Sequence, residues 1–157
     1  MKQELLQKLI QQLLQSIKEL DSYIEAEKEA AIQAPSRMES RYDSEKQEAS
    51  YRANELMERK EFMMQAMKII TEFIPHIPQR CIKMEIGALI TTQDDQQNTR
   101  IYFILPAGEG EIIEQNNVSD HIFILSPHSP IFSTLEGKQI GDTYVFRDKM
   151  FTVVDIK

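Results

Sequence analysis

Between Leu6 and Ile70 the apolar residues repeat with the period of a helix that packs against one partner helix, and only Ala34-Pro35-Ser36 interrupts them. Leu6, Ile10, Leu13, Ile17, Leu20 and Ile24 advance by alternating steps of four and three, and the seam returns at Tyr42, Ala49, Ala53, Leu56, Met63, Met67 and Ile70. A chain that folds back on itself pairs positions whose numbers have a constant sum. With a sum of 73, Leu6 meets Met67, Ile10 meets Met63, Ile17 meets Leu56, Leu20 meets Ala53, Ile24 meets Ala49 and Ala31 meets Tyr42. The same register sets Glu27 opposite Lys46 as a polar layer. It also sets Leu13 opposite Lys60, whose methylene stem can lie along a leucine while its ammonium reaches water. Residues 1–75 are therefore expected to form an antiparallel coiled-coil hairpin turning near 34–37, with arms roughly 45 Å long.

At the turn, Pro35 stops the first helix, and Ser36-Arg37-Met38-Glu39 has the S-x-x-E form of a capping box with Ser36 as N-cap. The alternative is a second helix starting at Asp43-Ser44, with 34–43 as a longer loop. Near the base, Leu5, Leu9 and Leu14 lie beside the seam and widen its apolar face. Either the C-terminal part of the chain covers them, or they pair between chains in a dimerising coiled coil.

The chain has 157 residues, and its pattern changes near Pro75 and Pro78, which points to two small domains. A net charge of −7 argues against general nucleic-acid affinity, because phosphate binding needs clustered cations. Any contact with nucleic acid would be local or mediated by another protein. One cysteine, Cys81, excludes an internal disulfide, and three histidines without CxxC or HExxH spacing give no metal signature, so no stably bound cofactor is expected. The N-terminal leucines are interrupted by Gln and Glu at helical spacing, which fits neither a signal peptide nor a membrane span. A cytoplasmic protein, a monomer unless the base leucines pair, is the expectation.

Pro75-His76-Ile77-Pro78 ends the second helix, and 76–82 reads as a linker. From 83 to 157 the period is that of strands: Ala88–Thr92, Arg100–Leu105, His121–Leu125, Thr143–Phe146 and Met150–Val154, separated by turns at Asp94–Asn98, Gly108–Gly110 and Arg147–Lys149. Ile131–Leu135 reads as one short helical turn closed by Gly137. The fold class is α+β: a helical hairpin followed by a small antiparallel sheet of about five strands with one short helix.

The run Ser129-Pro130-Ile131-Phe132-Ser133-Thr134-Leu135-Glu136-Gly137-Lys138-Gln139-Ile140-Gly141-Asp142 resembles the S-P-x-x-x-x-L-x-G-K-x-x-G-D signature of the Gre family of bacterial transcription elongation factors. Ile104-Leu105-Pro106-Ala107-Gly108-Glu109-Gly110-Glu111-Ile112 is similar to that family's I-V-G-x-x-E-A-D-I segment, with Pro106 where glycine is usual. In the hairpin, Tyr42-Asp43-Ser44-Glu45-Lys46-Gln47-Glu48-Ala49-Ser50-Tyr51-Arg52-Ala53 resembles the Y-D-T-R-x-x-E-A-S-Y-L-A motif of a divergent Gre-like branch. The likeness implies an FKBP-like globular domain that docks on RNA polymerase near the mouth of its secondary channel, while the hairpin enters the channel. Nascent RNA would be touched only indirectly, through the polymerase.

In Gre factors, acids at the tip lend ligands to an Mg²⁺ at the polymerase's own centre and promote cleavage of backtracked RNA, so the factor is not itself an enzyme. The corresponding acids here are Glu39, Asp43 and Glu45, with no Gly-Asp before the second helix. Either Glu39 matches the second family acid, with Ser36 in place of the first, or Asp43 matches the first and Glu45 or Glu48 supplies the other. Two functions stay open: a cleavage-stimulating factor, and a channel-binding regulator without cleavage. The docking residues carried over are His128, Ser129 and Pro130, with His128 in place of the family's acid. Because the globular half is FKBP-like, a peptidyl-prolyl isomerase is a further reading. The absence of Trp and the alternation of the aromatic residues along strands weigh against it.

Overall fold

The structure, a computed structural model, describes residues 1–33, 40–115 and 121–157, with the backbone alone at 40–43. The chain divides into two compact units. One is Gln11–Gln65, and the other combines Met1–Ile10 with Ala66–Lys157. The expected turn near 34–37, with its Ser36–Glu39 capping box, lies outside the described residues.

Two long helices, α1 (Lys2–Gln33) and α2 (Ser40–Phe73), form the hairpin. Because α2 is already helical at Ser40, a start at Asp43-Ser44 does not hold. Within Gln11–Gln65, α1 buries Leu13, Ile17, Leu20 and Ile24 and α2 buries Ala49, Ala53 and Met63, which is the anticipated seam. Each fully buried aliphatic side chain there contributes about 1.5–3 kcal/mol.

The register differs from the expected one. Arg52 Nε donates to Glu27 Oε2 at 3.1 Å, and Lys60 Nζ pairs with Asp21. Those residue numbers add to 79 and 81, not 73. A sum of 73 would leave Lys60 eight positions, or about 12 Å along the axis, from the level of Asp21, beyond the combined reach of the two side chains. The helices are therefore offset by about one heptad. Glu27 pairs with Arg52 instead of Lys46, and Lys60 reaches Asp21 instead of lying along Leu13. A seven-residue repeat matches itself after a seven-residue slide, so the apolar seam is blind to this shift and the charged flanks decide it.

In the second unit the sheet has the order β3-β4-β2-β1-β6-β5, from β1 (Leu89–Asp94), β2 (Thr99–Ile104), β3 (Ile112–Ile113), β4 (Ile122–Leu125), β5 (Thr143–Phe146) and β6 (Lys149–Ile156). The five anticipated strands are present, and β3 is a sixth, too short to leave an alternating pattern. Four pairings are antiparallel, and the fifth, β2 with β4, is parallel, which makes the sheet mixed. On one face Ile90, Tyr102, Ile104, Leu125, Tyr144, Phe151 and Val153 pack with Ile131 and Leu135 around the short helix α3 (Phe132–Leu135).

The turns follow from their chemistry. The Asp94 carboxylate accepts from the Gln96 and Asn98 backbone N–H groups and from the Asn98 amide, closing the β1–β2 hairpin. Arg147 and Asp148 both take positive φ, as the two central residues of a tight type I′ hairpin do. Gly87, at φ +94°, sits so close to Pro78 that an added Cβ would lie 2.3 Å from its Cδ. After α2 a 3-10 turn, Ile74–His76, carries Pro75. Lys2 Nζ donates to Pro78 O at 2.8 Å and lies 3.6 Å from Cys81 Sγ, fastening the start of α1 to the segment that follows α2. Burial pushes the Cys81 thiol up, and the Lys2 charge opposes it.

Of the base leucines, Leu9 is fully buried and Leu14 is exposed, so the three do not form one face open to a second chain. Among the described residues no helix is long and apolar enough to cross a membrane.

Candidate functional site

The Gre-like run folds as a turn, a short helix and a return, and most of its distinctive residues have visible jobs. Ser129 is buried, its Oγ accepts from Ser126 N–H at 2.9 Å, and its own N–H donates to Ser126 O. Leu135 is fully buried in the core, and Gly137, just past the end of α3, takes φ +75°. Gly141 takes φ +93°, and Asp142 Oδ2 accepts from Gln139 N–H at 2.8 Å. The signature is chiefly a recipe for a local fold. What that fold presents outward is His128 and Pro130, both exposed on either side of the buried serine.

Beside that turn, past the part that α3 covers, the same sheet face opens into a cleft of about 910 Å³. Tyr102, Phe123, Leu125, Ile131 and Phe146 give it apolar walls, and His128, Ser129 and Pro130 form part of its rim. Arg147 comes from the β5–β6 turn on one side, and Glu109 and Glu111 from the chain entering β3 on the other, with Arg100 between them on β2. Arg100 lies over the Phe151 ring, 5.2 Å from its centroid, and Arg147 lies over Phe146 at the same distance. Phe151 stacks on Tyr144, whose hydroxyl reaches Thr92 Oγ1 at 3.1 Å. Burial holds the Tyr144 phenol far above its usual range, and the nearby Tyr102 adds to the shift while Arg100 opposes it. The Tyr102 hydroxyl is buried within reach of the Tyr144 hydroxyl.

The residues anticipated from sequence fall in two separate places. His128, Ser129 and Pro130 come together at the cleft rim. Of the tip acids, Glu39 lies outside the described residues and Asp43 is described only as helical backbone, while Glu45 is an exposed residue of α2. Mg²⁺ demands near-octahedral oxygen coordination, which a lone Glu45 does not supply. Among the described residues no group of three His, Cys, Asp or Glu could hold a metal. Sequence reasoning missed Arg100, Tyr102, Phe123 and Phe146 as a cleft. Arg100 was the available signal, a charged residue at the inward phase of a strand.

No family model matches the sequence, and no curated protein matches it. The solved structures to which the chain is similar include two of Gfh1. The GreA factor homolog 1 (Gfh1) protein of Thermus thermophilus has a TM-score of 0.37 and 13% identity, over 94% of this chain and 94% of that one. A second structure of the transcription factor Gfh1 has a TM-score of 0.37 and 18% identity, over 96% of this chain and 92% of that one. Likeness of this degree assigns no function by itself.

Proposed function

We propose that this chain is a regulator of a bacterial-type RNA polymerase, docking by its sheet domain and entering the secondary channel with its helical hairpin. The observation that carries this reading is the Ser129–Asp142 run. Its Gre-like residues fold into a rigid turn and short helix that leave His128 and Pro130 exposed at the rim of an apolar cleft. A buried serine that locks the turn gives those two residues a fixed geometry, as a docking contact requires. The helices supply the probe. At 32 and 34 residues they are each about 50 Å long, enough for a narrow pore.

Within this reading the factor acts by occupancy. An acidic residue such as Glu45 on the entering arm changes the charge around the polymerase's catalytic centre, and a finished metal site on the factor is not required. His128 stands at the contact in place of the family's acid. The test is co-sedimentation of the full chain with core RNA polymerase at moderate salt. Retention of wild type, weakened by Pro130→Asp, supports the reading, and a folded wild type that does not co-sediment overturns it. Adding the protein to backtracked complexes with Mg²⁺ separates the two functions: release of short 3′ RNA fragments marks a cleavage factor, and unchanged RNA length marks a regulator by occupancy.

A further inference from the structure

Lys2 and Cys81 are 79 residues apart in the chain and meet where α1 begins. Lys2 is 9% exposed and Cys81 4% exposed. Lys2 Nζ donates to Pro78 O at 2.8 Å and lies 3.6 Å from Cys81 Sγ, and among the described residues it enters no ion pair. The Cys81 thiol in turn donates to the Glu85 side chain. An ammonium that is nine-tenths buried with no carboxylate paired to it is costly. A thiol held between a carboxylate and an amine has what sulfur chemistry needs: a base to take its proton, and a nitrogen to displace what then leaves the sulfur.

From this arrangement we infer that hydrogen peroxide converts the pair into a covalent bridge, an S–N bond between Cys81 Sγ and Lys2 Nζ. In the first step the sulfur attacks one oxygen of the peroxide and the O–O bond breaks. The thiol proton passes by way of Glu85 to the departing hydroxide, which leaves a Cys81 sulfenic acid and water. In the second step Lys2 gives one ammonium proton to solvent, and its amine attacks the sulfur. The S–N bond forms as the S–O bond breaks, and the hydroxyl leaves as water with a second proton from the nitrogen. The sulfur is thereby oxidised by two electrons, and the peroxide is reduced to water. Burial selects this product, because Cys81 is too enclosed for a second protein's thiol to reach while the Lys2 amine is already in contact. Burial also pushes the thiol up, which the Lys2 charge opposes, so the first step depends on Glu85 taking the proton. The bridge removes the buried charge of Lys2 and ties the start of α1 to the segment after α2, constraining the unfolded chain as a disulfide does. The inference stands whether or not the chain binds polymerase.

The test is peptide mapping by mass spectrometry of the reduced full chain after exposure to hydrogen peroxide, with digestion in the absence of reductant. The expected result is a joined pair of peptides, one carrying Lys2 and the other Cys81, lighter than their sum by two hydrogens and separated again by dithiothreitol. Dithiothreitol, which leaves methionine sulfoxide untouched, should also lower the melting temperature of the oxidised protein by about 5 °C or more. Glu85→Gln should form the bridge at least about tenfold more slowly. Lys2→Arg, which keeps the cation, should form none and let Cys81 pass on to sulfinic acid. Should a variant fail to fold, the joined pair from wild type and its loss when the chain is oxidised in concentrated urea carry the test. The inference is overturned if Cys81 of the folded protein is recovered as thiol or as sulfinic or sulfonic acid with Lys2 free, if the joined pair forms as readily in urea, or if folded Glu85→Gln forms it as fast as wild type.

Discussion

Lys60 of α2 pairs with Asp21 of α1, and this contact fixes how far the two helices of the hairpin are slid past each other. The pair is half-exposed, with side-chain accessibilities of 29% and 50%, so its worth is modest. A double-mutant cycle with Asp21→Asn and Lys60→Met should give a coupling of about 0.5 kcal/mol, falling with salt. The corresponding cycle for Glu27 and Arg52 should give a similar value, and the cycle for Glu27 and Lys46 none. Coupling between Glu27 and Lys46 would restore the register with a sum of 73.

Gly87 is the glycine with least room. It combines φ +94° with a Cβ site that collides with the Pro78 ring, whereas Gly137, at φ +75°, faces open space. Gly137→Ala should cost about 1 kcal/mol, for the backbone alone. Gly87→Ala adds overpacking against a rigid ring and should cost at least about 3 kcal/mol. Urea denaturation of the two variants checks the order, and equal losses would mean that the Pro78 segment gives way freely.

The Asp94 carboxyl is held below its ordinary value of 3.8, first by the Asn98 side-chain amide and then by backbone N–H groups. A carboxyl with a depressed folded-state pKa contributes stability that is fully present above its unfolded pKa and is lost as the pH falls through the lower folded value. The melting temperature of wild type should therefore drop below about pH 4. Asp94→Ala should melt lower than wild type at neutral pH, and the gap should narrow in acid. A gap that stays constant from pH 7 to pH 3 would show that the ionised carboxylate contributes nothing.

Ser129 and its two neighbours should respond differently to substitution. Because Ser129 Oγ satisfies a buried N–H, Ser129→Ala should lower stability by about 1–2 kcal/mol. Pro130→Asp and His128→Ala change exposed positions and should move stability by no more than about 0.5 kcal/mol. Thermal melts beside polymerase co-sedimentation separate the roles: the exposed pair should affect binding without melting, and the serine should affect both.

The hairpin and most of the sheet were legible in the sequence because both depend on periodicity. Leu13, Ile17, Leu20 and Ile24 step by about one helical turn each, and Tyr102 and Ile104 alternate along a strand. Hairpin register was not legible, since sliding by seven keeps every seam residue on the seam and only long charged side chains on the flanks report the shift. The parallel pairing of β2 with β4 was hidden as well, because one strand's alternation reads alike in either direction. Of the candidate site, the rim was visible through the Ser129–Asp142 run. The cleft was not, because Arg100, Phe123 and Phe146 are distant in sequence and meet only through the sheet order.

A photo-crosslinking amino acid at position 45, with a second at position 128 as reference, reports entry of the hairpin into the channel when the protein is added to purified RNA polymerase. Position 128 should crosslink at the outer mouth of the secondary channel, and position 45 to polymerase segments that line the inside of that channel near its catalytic centre. Crosslinks from both positions to the outer surface alone, or to no polymerase subunit, would contradict the account.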